Sequence, residues 1–295
     1  MTAQEEHAQI DVPSAWERLN LEDLNGTILI AGGTNTGKST LVRYLAGRLI
    51  AAGQRVAYVD GDPGQSTLGP PTTVTMALSA GRDDAFPPSG ETARWFVGAT
   101  SPRRHMLPLL AGAARLVRSA RAAGAEAVLY DSSGMVDPAQ GGTALKQAFV
   151  DVLQPAAVIA IQKQDELEPL LRPWRRLPSL QLVELSPAPA VRERDAADRQ
   201  DYRARRFAAY FEEAQPLTLR PPRYAVLPRL HFRQHQLLAL RDAGGFTQAL
   251  AIVLEDQKEN QQLTVLTPLS ALDGVTTLEL GDLLLDPETF RDAPL

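Results

Sequence analysis

The sequence predicts an α/β fold: a doubly wound, mostly parallel sheet with helices on both faces, plus a small β-rich C-terminal module. Three observations predict it. Apolar runs of strand length alternate with amphipathic runs of helix length, the pattern of strands joined by crossover helices. Residues 127–130 and 157–161 are continuously apolar, as in strands buried on both faces. A glycine-rich loop also joins the first strand to the first helix.

The individual elements follow from hydrophobic periodicity and from helix-ending glycines. Gly53 and Gly124 directly follow the first two long amphipathic runs, where glycine commonly ends a helix. Helices are predicted at residues 38–52, 105–123, 141–153 and 165–172. Strands are predicted at residues 27–32, 55–60, 94–98, 126–131, 157–162 and 180–185.

The predicted domain organisation has three parts. Residues 1–26 form a short N-terminal segment, residues 27–215 form the main domain, and residues 216–295 form the β-rich module. An arginine-rich helix is expected at about 192–213, at the end of the main domain. Strands of the module are expected near 237–241, 248–254, 262–267 and 276–285, between glycine and aspartate turns.

Composition limits the chemistry that the chain can perform. It has 295 residues, a formal net charge of −5 and no cysteine, which excludes disulfides, thiolate metal sites and a cysteine nucleophile. The negative charge argues against broad coating of nucleic acid, although it leaves room for a local basic groove. The polar N-terminus predicts no signal peptide, and no apolar run reaches membrane-spanning length, so the expected location is the cytoplasm.

The glycine-rich loop matches the pattern G-x-x-x-x-G-K-[ST] between a predicted strand and a predicted helix, the context of a phosphate-binding P-loop. Its glycines let successive backbone N–H groups turn toward phosphate oxygens. The lysine is placed to reach the β- and γ-phosphates of a nucleotide, and the serine hydroxyl to bind Mg²⁺. The predicted ATP-binding residues are Gly32, Gly33, Thr34, Asn35, Thr36, Gly37, Lys38, Ser39 and Thr40.

Two carboxylates, Asp60 and Asp62, lie at the end of the second predicted strand, in the segment Asp60-Gly-Asp-Pro-Gly-Gln65. The carboxyl ends of parallel strands face the ligand in α/β sheets. A carboxylate there can bind Mg²⁺ or accept a proton from a nucleophilic hydroxyl. The alternative is an ordinary Asp-Pro-Gly turn.

Asp131 ends an apolar strand in the sequence Asp-Ser-Ser-Gly134, as in a Walker B motif, and is a candidate Mg²⁺ ligand with Ser39 and Asp60. The same residues fit the D-x-x-G motif of GTPases. Gln162-Lys-Gln-Asp165 further resembles the guanine-reading N-K-x-D motif, with glutamine in place of asparagine. A GTPase switch therefore stays open as an alternative.

Arg194, Arg199 and Arg203 fall on neighbouring turns of the arginine-rich helix. Such a helix can act as a lid whose cations neutralise charge that develops during phosphoryl transfer. The alternative is a solvated surface helix whose arginines pair with its own carboxylates.

Together these motifs resemble the P-loop polynucleotide 5′-hydroxyl kinases, the family that includes the RNA kinase of the pre-mRNA cleavage complex and the kinases of ribosomal RNA processing. The resemblance covers most of the chain. It is carried by Val12-Pro-x-x-Trp16, the P-loop, Asp60-Gly-Asp-Pro-Gly-Gln65, Val97-Gly-Ala-Thr-Ser-Pro102, Asp131-Ser-Ser-Gly134 and the arginine lid.

The resemblance implies ATP-dependent phosphorylation of the 5′-OH end of RNA or DNA. Lys38 is then a catalytic residue that holds the β- and γ-phosphates, and Ser39 holds Mg²⁺. Asp62 is the general base on the terminal hydroxyl. The catalytic lid arginines are Arg194 and Arg199.

The same resemblance places Gln65, Arg203 and residue 135 against the terminal nucleotides of the acceptor. The family usually has tryptophan where this chain has Met135, which offers an apolar contact but no aromatic platform for a base. Two further functions stay open for a P-loop chain of this kind, a non-catalytic ATP-binding scaffold in an RNA-processing complex and a small-nucleoside kinase. The oligomeric state is left open.

Overall fold

The computed structural model describes residues 12–21, 24–188, 195–228 and 230–295. Its α-helices are α1 (Ser14–Glu17), α2 (Lys38–Ala51), α3 (Met106–Ala122), α4 (Gly142–Leu153), α5 (Glu168–Trp174) and α6 (Ala196–Phe211). The first seven strands are β1 (Gly26–Gly32), β2 (Val56–Gly61), β3 (Thr73–Leu78), β4 (Thr92–Phe96), β5 (Ala127–Ser132), β6 (Ala157–Ile161) and β7 (Gln181–Leu185). The remaining strands are β8 (Gln215–Leu219), β9 (Ala225–Leu227), β10 (Gln236–Asp242), β11 (Thr247–Gln257), β12 (Gln262–Thr267), β13 (Val275–Leu285) and β14 (Asp292–Pro294).

The strands form two seven-stranded sheets, which confirms the predicted fold class. The first has the order β4-β3-β2-β5-β1-β6-β7, and β1 pairs in parallel with both β5 and β6. The second has the order β14-β13-β10-β11-β12-β8, with β9 added beside β13. Its pairings are antiparallel except between β9 and β13.

The chain divides into two compact units. Unit 1 takes the described residues of Met1–Tyr58, Ala77–Glu91 and Ala120–Glu193. Unit 2 takes those of Val59–Met76, Thr92–Ser119 and Arg194–Leu295. The domain boundaries expected from the sequence stay a prediction.

In unit 1, the register of the parallel strands positions the candidate site. Ile30 of β1 lies opposite Asp131 of β5 and opposite Ile159 of β6. Strands β5 and β6 are buried along their whole length, as their continuous apolar runs predict. Asp131 therefore lies near the carboxyl end of β5, one residue before the strand ends and beside the end of β1 that leads into the P-loop.

In unit 2, alternate residues of β10 and β11 face two different apolar clusters, because successive side chains of a strand point to opposite faces. Leu238 and Leu240 belong to one cluster with Ala251 and Val253. On the other face, Phe207 and Phe211 of α6 pack in a cluster that contains Leu237, Ala239, Leu250 and Ile252. Burial of both faces explains why β10 and β11 are rich in apolar residues.

Several elements differ from the sequence-based expectation. Strand β3 was not predicted from the sequence; it is buried along its whole length, and the Thr73 hydroxyl donates to the Pro70 carbonyl at 2.7 Å. Helix α6 is shorter than 192–213: it begins after Asp195, whose side chain forms a reciprocal capping box with Asp198. Residues 192–194 of that prediction lie outside the described residues.

Among the described residues, no helix is both long and apolar enough to cross a membrane. The cytoplasmic location stays a prediction.

Candidate functional site

The P-loop of unit 1 is shaped by its own residues. Asn35 and Gly37 have positive φ angles of 54° and 88°, a conformation that glycine adopts freely and asparagine tolerates better than most residues. The Lys38 ammonium donates to the Gly33 carbonyl at 2.6 Å, and the Thr36 hydroxyl donates to the same oxygen at 3.0 Å. The lysine is thus folded back over the loop that precedes it.

Gly32 marks a close approach between the P-loop and the end of β6. A Cβ atom at this position would lie 2.8 Å from the carbonyl oxygen of Ile161 and 2.8 Å from the Thr36 hydroxyl. The first of these atoms belongs to the backbone and cannot rotate away. The position therefore needs glycine for steric reasons as well as for the loop motif.

Ser39 and Asp131 meet at the start of α2. The serine hydroxyl donates to the Asp131 carboxylate at 2.5 Å, and the carboxylate is almost completely buried. A hydroxyl and a carboxylate are oxygen ligands that suit Mg²⁺, so the residues present fit such an ion. No group of three or more His, Cys, Asp or Glu side chains that could hold a metal is found in the described part of the chain. Mg²⁺ commonly takes only one or two protein carboxylates and completes its shell with phosphates and water.

The segment after Asp131 packs directly on the P-loop. A Cβ atom on Gly134 would lie 2.7–2.9 Å from atoms of Thr34, so this contact requires glycine. The Thr34 hydroxyl also donates weakly to the Gly134 carbonyl, at 3.5 Å. Met135, the next residue, is half-buried. In unit 1 the structure thus brings together the predicted residues of the P-loop, Asp131 and the loop that carries Met135.

Sequence reasoning missed Lys146, a completely buried lysine of α4. Its ammonium donates to the Ser132 hydroxyl at 2.7 Å and to the Ser133 carbonyl at 2.5 Å. The Ser132 hydroxyl in turn donates to the Ile30 carbonyl at 2.6 Å. The lysine therefore ties the segment after Asp131 to α4 and β1. Its signal in the sequence was a cation on the otherwise apolar side of α4, beside Leu145 and Phe149.

The segment that resembles a guanine-reading motif has the Gln162 side chain and two backbone N–H groups engaged locally. Gln162 accepts a hydrogen bond from the Leu167 N–H at 2.9 Å and donates weakly to Glu168 at 3.4 Å. The Glu166 carboxylate accepts the N–H groups of Lys163 and Gln164, each at 2.8 Å. These contacts give Gln162 a structural role at the start of α5.

In unit 2, Asp60 organises residues 60–70, which comprise the last two residues of β2 and the loop after them and which we name the acidic loop. Its Oδ2 atom accepts hydrogen bonds from the Thr67 N–H at 2.6 Å, the Leu68 N–H at 2.9 Å and the Ser66 hydroxyl at 3.0 Å. Its Oδ1 atom accepts a longer one from the Asp62 N–H at 3.4 Å. One buried carboxylate therefore joins both ends of the acidic loop.

Burial raises the pKa of Asp60 above its usual value, and the neighbouring Asp62 charge adds to the rise. The hydrogen bonds from Leu68, Thr67 and Ser66 act in the opposite direction, because they favour the charged form. Its predicted role as a metal ligand stays a prediction.

Asp62 caps the turn that follows it. Its Oδ1 atom accepts the N–H groups of Gly64 at 2.9 Å and of Gln65 at 3.1 Å. Among the described residues, nothing donates to its other carboxylate oxygen. A Cβ atom on Gly64 would overlap the Thr100 carbonyl oxygen, so this turn packs tightly on the segment Val97–Pro102. The predicted general base is thus held in a fixed turn with one oxygen still available.

Helix α6 holds the acidic loop in place. The Tyr202 hydroxyl donates to the Ser66 carbonyl at 2.9 Å. One turn later, Arg206 donates to the carbonyls of Thr67 and Gly69, each at 2.9 Å. Sequence reasoning missed both contacts, which join residues that are 136 to 139 positions apart.

The lid arginines have different surroundings. Arg194 lies outside the described residues. Arg199 is half-buried, and no hydrogen bond from its side chain is found within the described residues. Arg203 forms an ion pair with Asp292 at 2.9 Å, with side chains only 16% and 6% exposed. Its proposed contact with nucleic acid stays a prediction, and its charge already has a partner.

Comparison with known families decides the assignment. The family described as "mRNA cleavage and polyadenylation factor CLP1 P-loop" matches residues 32–213, more than half of the chain. The chain belongs to this CLP1 P-loop family. The matched range contains the P-loop, the acidic loop, Asp131 and α6. Membership of a P-loop family implies that the chain uses a nucleotide.

Two curated relatives are similar over about two thirds of the chain. The polyribonucleotide 5′-hydroxyl-kinase of Pyrococcus horikoshii is 28% identical over 204 residues, which cover 69% of this chain and 55% of the relative. The corresponding protein of Thermococcus kodakarensis is 31% identical over 189 residues, covering 64% and 52%. The chain thus spans about half the length of these relatives.

A solved structure shares the fold. The structure of the wild-type Clp1p–Pcf11p complex aligns with a TM-score of 0.66 over 87% of this chain and 74% of that chain. The sequence identity is 14%, so the likeness concerns the fold.

Proposed function

We propose that this CLP1-family chain is a polynucleotide 5′-hydroxyl kinase that transfers the γ-phosphoryl group of ATP to the 5′-OH end of RNA or DNA. The observation that carries the proposal is the contact of the Ser39 hydroxyl with the buried Asp131 carboxylate, next to the lysine of the P-loop. The names of the relatives support the acceptor, since both are polyribonucleotide 5′-hydroxyl-kinases.

The proposed mechanism assigns one task to each residue. Lys38 binds oxygens of the β- and γ-phosphates, and Ser39 and Asp131 hold Mg²⁺, which neutralises phosphate charge when bound. Asp62 accepts the proton of the 5′ hydroxyl while that oxygen bonds to the γ-phosphorus and the bond to the β–γ bridging oxygen breaks. Arg199 supplies positive charge to the transferring group.

The acidic loop supports the role of Asp62 as the base. A general base must be held in place and still offer an acceptor atom to the proton that it removes. The backbone of the turn engages Oδ1 of Asp62 and leaves Oδ2 for the substrate. Gln65, three residues later, is proposed to contact the terminal nucleotide.

The proposal is tested by transfer of labelled γ-phosphate from ATP to short 5′-OH RNA and DNA oligonucleotides with Mg²⁺. We expect label on the 5′ end with wild type and its loss in Asp62→Ala, because the base is removed. Asp83→Ala, at an exposed carboxylate, is the matched control. Hydrolysis of GTP without transfer to any oligonucleotide would instead favour a GTPase switch.

A further inference from the structure

Unit 2 contains a cavity of about 190 Å³ beside the acidic loop. It is lined by residues 68–70 of that loop, by Arg94 of β4, and by Arg206, Ala209 and Tyr210 of α6. Two of these lining side chains are cationic and none of them is acidic. The cavity is therefore positively charged inside a protein whose net charge is −5.

Arg94 lies in this cavity without a carboxylate partner among the described residues. Its guanidinium carbon is 5.4 Å from the centre of the Tyr210 ring, within the range of a cation–π contact. The ring is itself fixed, because its hydroxyl accepts the Leu250 N–H at 2.9 Å. The Nε atom of Arg94 is buried and has no hydrogen-bond acceptor in the part of the chain that the structure describes.

Arg206 reaches the same cavity from α6, one helical turn before Tyr210. Its Nη2 atom donates to two carbonyls of the acidic loop, which fixes the orientation of the guanidinium. Its Nε atom is also buried and has no acceptor among the described residues. Two guanidinium groups thus line one small space, each with a donor that no described residue engages.

The setting of these two arginines contrasts with that of their neighbours in unit 2. Arg203 and Arg291 pair with Asp292 and Asp201, respectively. A partly buried cation without an anion is costly, since it loses hydration and gains no partner. The planar fork of a guanidinium matches the oxygens of a phosphate group. The positive charge of this cavity therefore fits a phosphate.

We propose that Arg94 and Arg206 bind an internal phosphodiester group of the acceptor polynucleotide, an assignment that rests on the proposed kinase function. The position of the cavity supports this source of phosphate. The Asp60 carboxylate accepts the N–H of Leu68, on the cavity rim, and also the N–H of Asp62, the proposed base. A strand whose 5′ end reaches Asp62 can therefore extend toward the two arginines.

The test is a binding experiment with 5′-OH oligonucleotides in which one phosphodiester at a time is replaced by a neutral methylphosphonate. We expect wild type to lose about tenfold in affinity at one linkage near the 5′ end and little elsewhere, because one charged contact is removed there. Arg94→Gln should bind the normal oligonucleotide more weakly and should no longer respond to the neutral group at that linkage. Its slope of log affinity against log salt should fall by about 0.7, the value for one phosphate contact on a single strand.

Arg205→Gln is the matched control, because it removes the same charge from the exposed side of α6. Arg205→Gln should lose affinity at the same neutral linkage as wild type does. If Arg94→Gln and wild type respond equally to every neutral linkage, the phosphodiester assignment is wrong. A second result would also overturn the assignment. Inorganic phosphate would compete with the oligonucleotide for wild type but not for Arg94→Gln, and no neutral linkage would change the affinity of wild type. The cavity would then bind a free anion and not a phosphodiester.

Binding and catalysis are read separately, so the two proposals can fail independently. Phosphoryl transfer by wild type, without any linkage sensitivity, would overturn the cavity assignment and leave the kinase function standing. The opposite result is that wild type transfers no phosphate but binds more weakly when one linkage is neutral, and that Arg94→Gln abolishes this difference. That result would support the polynucleotide site and overturn the kinase function.

Discussion

The P-loop and the acidic loop both follow buried strands, yet they are held in place by different means. The P-loop is shaped by bonds within itself, such as those from Lys38 and Thr36 to Gly33, three to five residues apart. The acidic loop is held by one buried carboxylate and by side chains of α6, up to 139 residues away. A local arrangement tolerates changes elsewhere in the chain, whereas a distant one depends on the packing of a whole domain.

The largest effect that would sharpen this comparison is expected from Lys38→Met. The variant loses the cation that binds the transferring phosphates, so the rate of phosphoryl transfer should fall by about 10²–10³-fold or more. Oligonucleotide binding should be unchanged, because the proposed mechanism gives this side chain a contact with the nucleotide phosphates and none with the acceptor. Lys258→Met, at an exposed lysine, serves as the control. A matching loss of oligonucleotide affinity in Lys38→Met would contradict the separation of tasks between the two loops.

Asp60→Ala tests whether one carboxylate organises the acidic loop. The substitution removes the carboxylate that accepts the Thr67 N–H, the Leu68 N–H and the Ser66 hydroxyl, so the free energy of unfolding should fall by about 3 kcal/mol. Asp60→Asn should lose less, because it keeps an acceptor oxygen and removes a buried charge. Chemical denaturation gives the stability, and hydrogen exchange at the two amides shows whether the loop opens. Equal stability of Asp60→Ala and wild type would rule out this organising role.

Gly32→Ala tests the steric limit at the P-loop. The new methyl group would press on the Ile161 carbonyl, so the free energy of unfolding should fall by about 1–3 kcal/mol. Gly47→Ala, in the open middle of α2 with no atom within 4 Å of the new Cβ, should instead gain about 0.5–1 kcal/mol. Thermal unfolding of the pair should therefore show shifts of opposite sign. A Gly32→Ala variant as stable as wild type would mean that the P-loop relaxes around the methyl group.

Tyr202→Phe should have the smallest effect. It removes one hydrogen bond to Ser66, which should lower stability by about 0.5–1.5 kcal/mol. Because that bond holds the acidic loop, the KM for the oligonucleotide should rise while the KM for ATP stays constant. Tyr224→Phe, directly before β9, is a control for loss of a tyrosine hydroxyl. A rise in the KM for ATP alone would contradict the assignment of α6 to the acceptor side.

The difference between the loops also decides what the sequence could predict. The P-loop motif spans nine residues between an apolar strand and an amphipathic helix, so its strand, turn and helix could be predicted from local pattern, although its packing on Ile161 and Gly134 could not. Asp60 and Asp62 could be selected because they end an apolar run. Their supports, Tyr202 and Arg206, could not, since hydrophobic periodicity carries no information about which distant hydroxyl or guanidinium reaches a given carbonyl.

Arg203 also shows that sequence pattern does not reveal the distant partners of a side chain. The resemblance to the kinase family predicts a contact of Arg203 with nucleic acid, whereas its ion pair with Asp292, 89 positions away, had no signal in the sequence. Arg94 carried no local signal, because it stands in a short strand and becomes distinctive only through the ring of Tyr210. Charge in a sequence can be counted directly, whereas its neutralisation depends on the tertiary fold.

The attachment of α6 to the C-terminal strand has a consequence for the order of folding. Asp292 pairs with Arg203, and its carbonyl accepts a hydrogen bond from Gln200, so α6 gains these anchors only after residue 292 has been added. Helix α6 in turn fixes the acidic loop, which is synthesised more than 130 residues earlier. Domains generally assemble from the N-terminus during translation, and contacts between distant residues form slowly. The P-loop can therefore take its shape early on the ribosome, while the support of the acidic loop by an anchored α6 waits for residue 292.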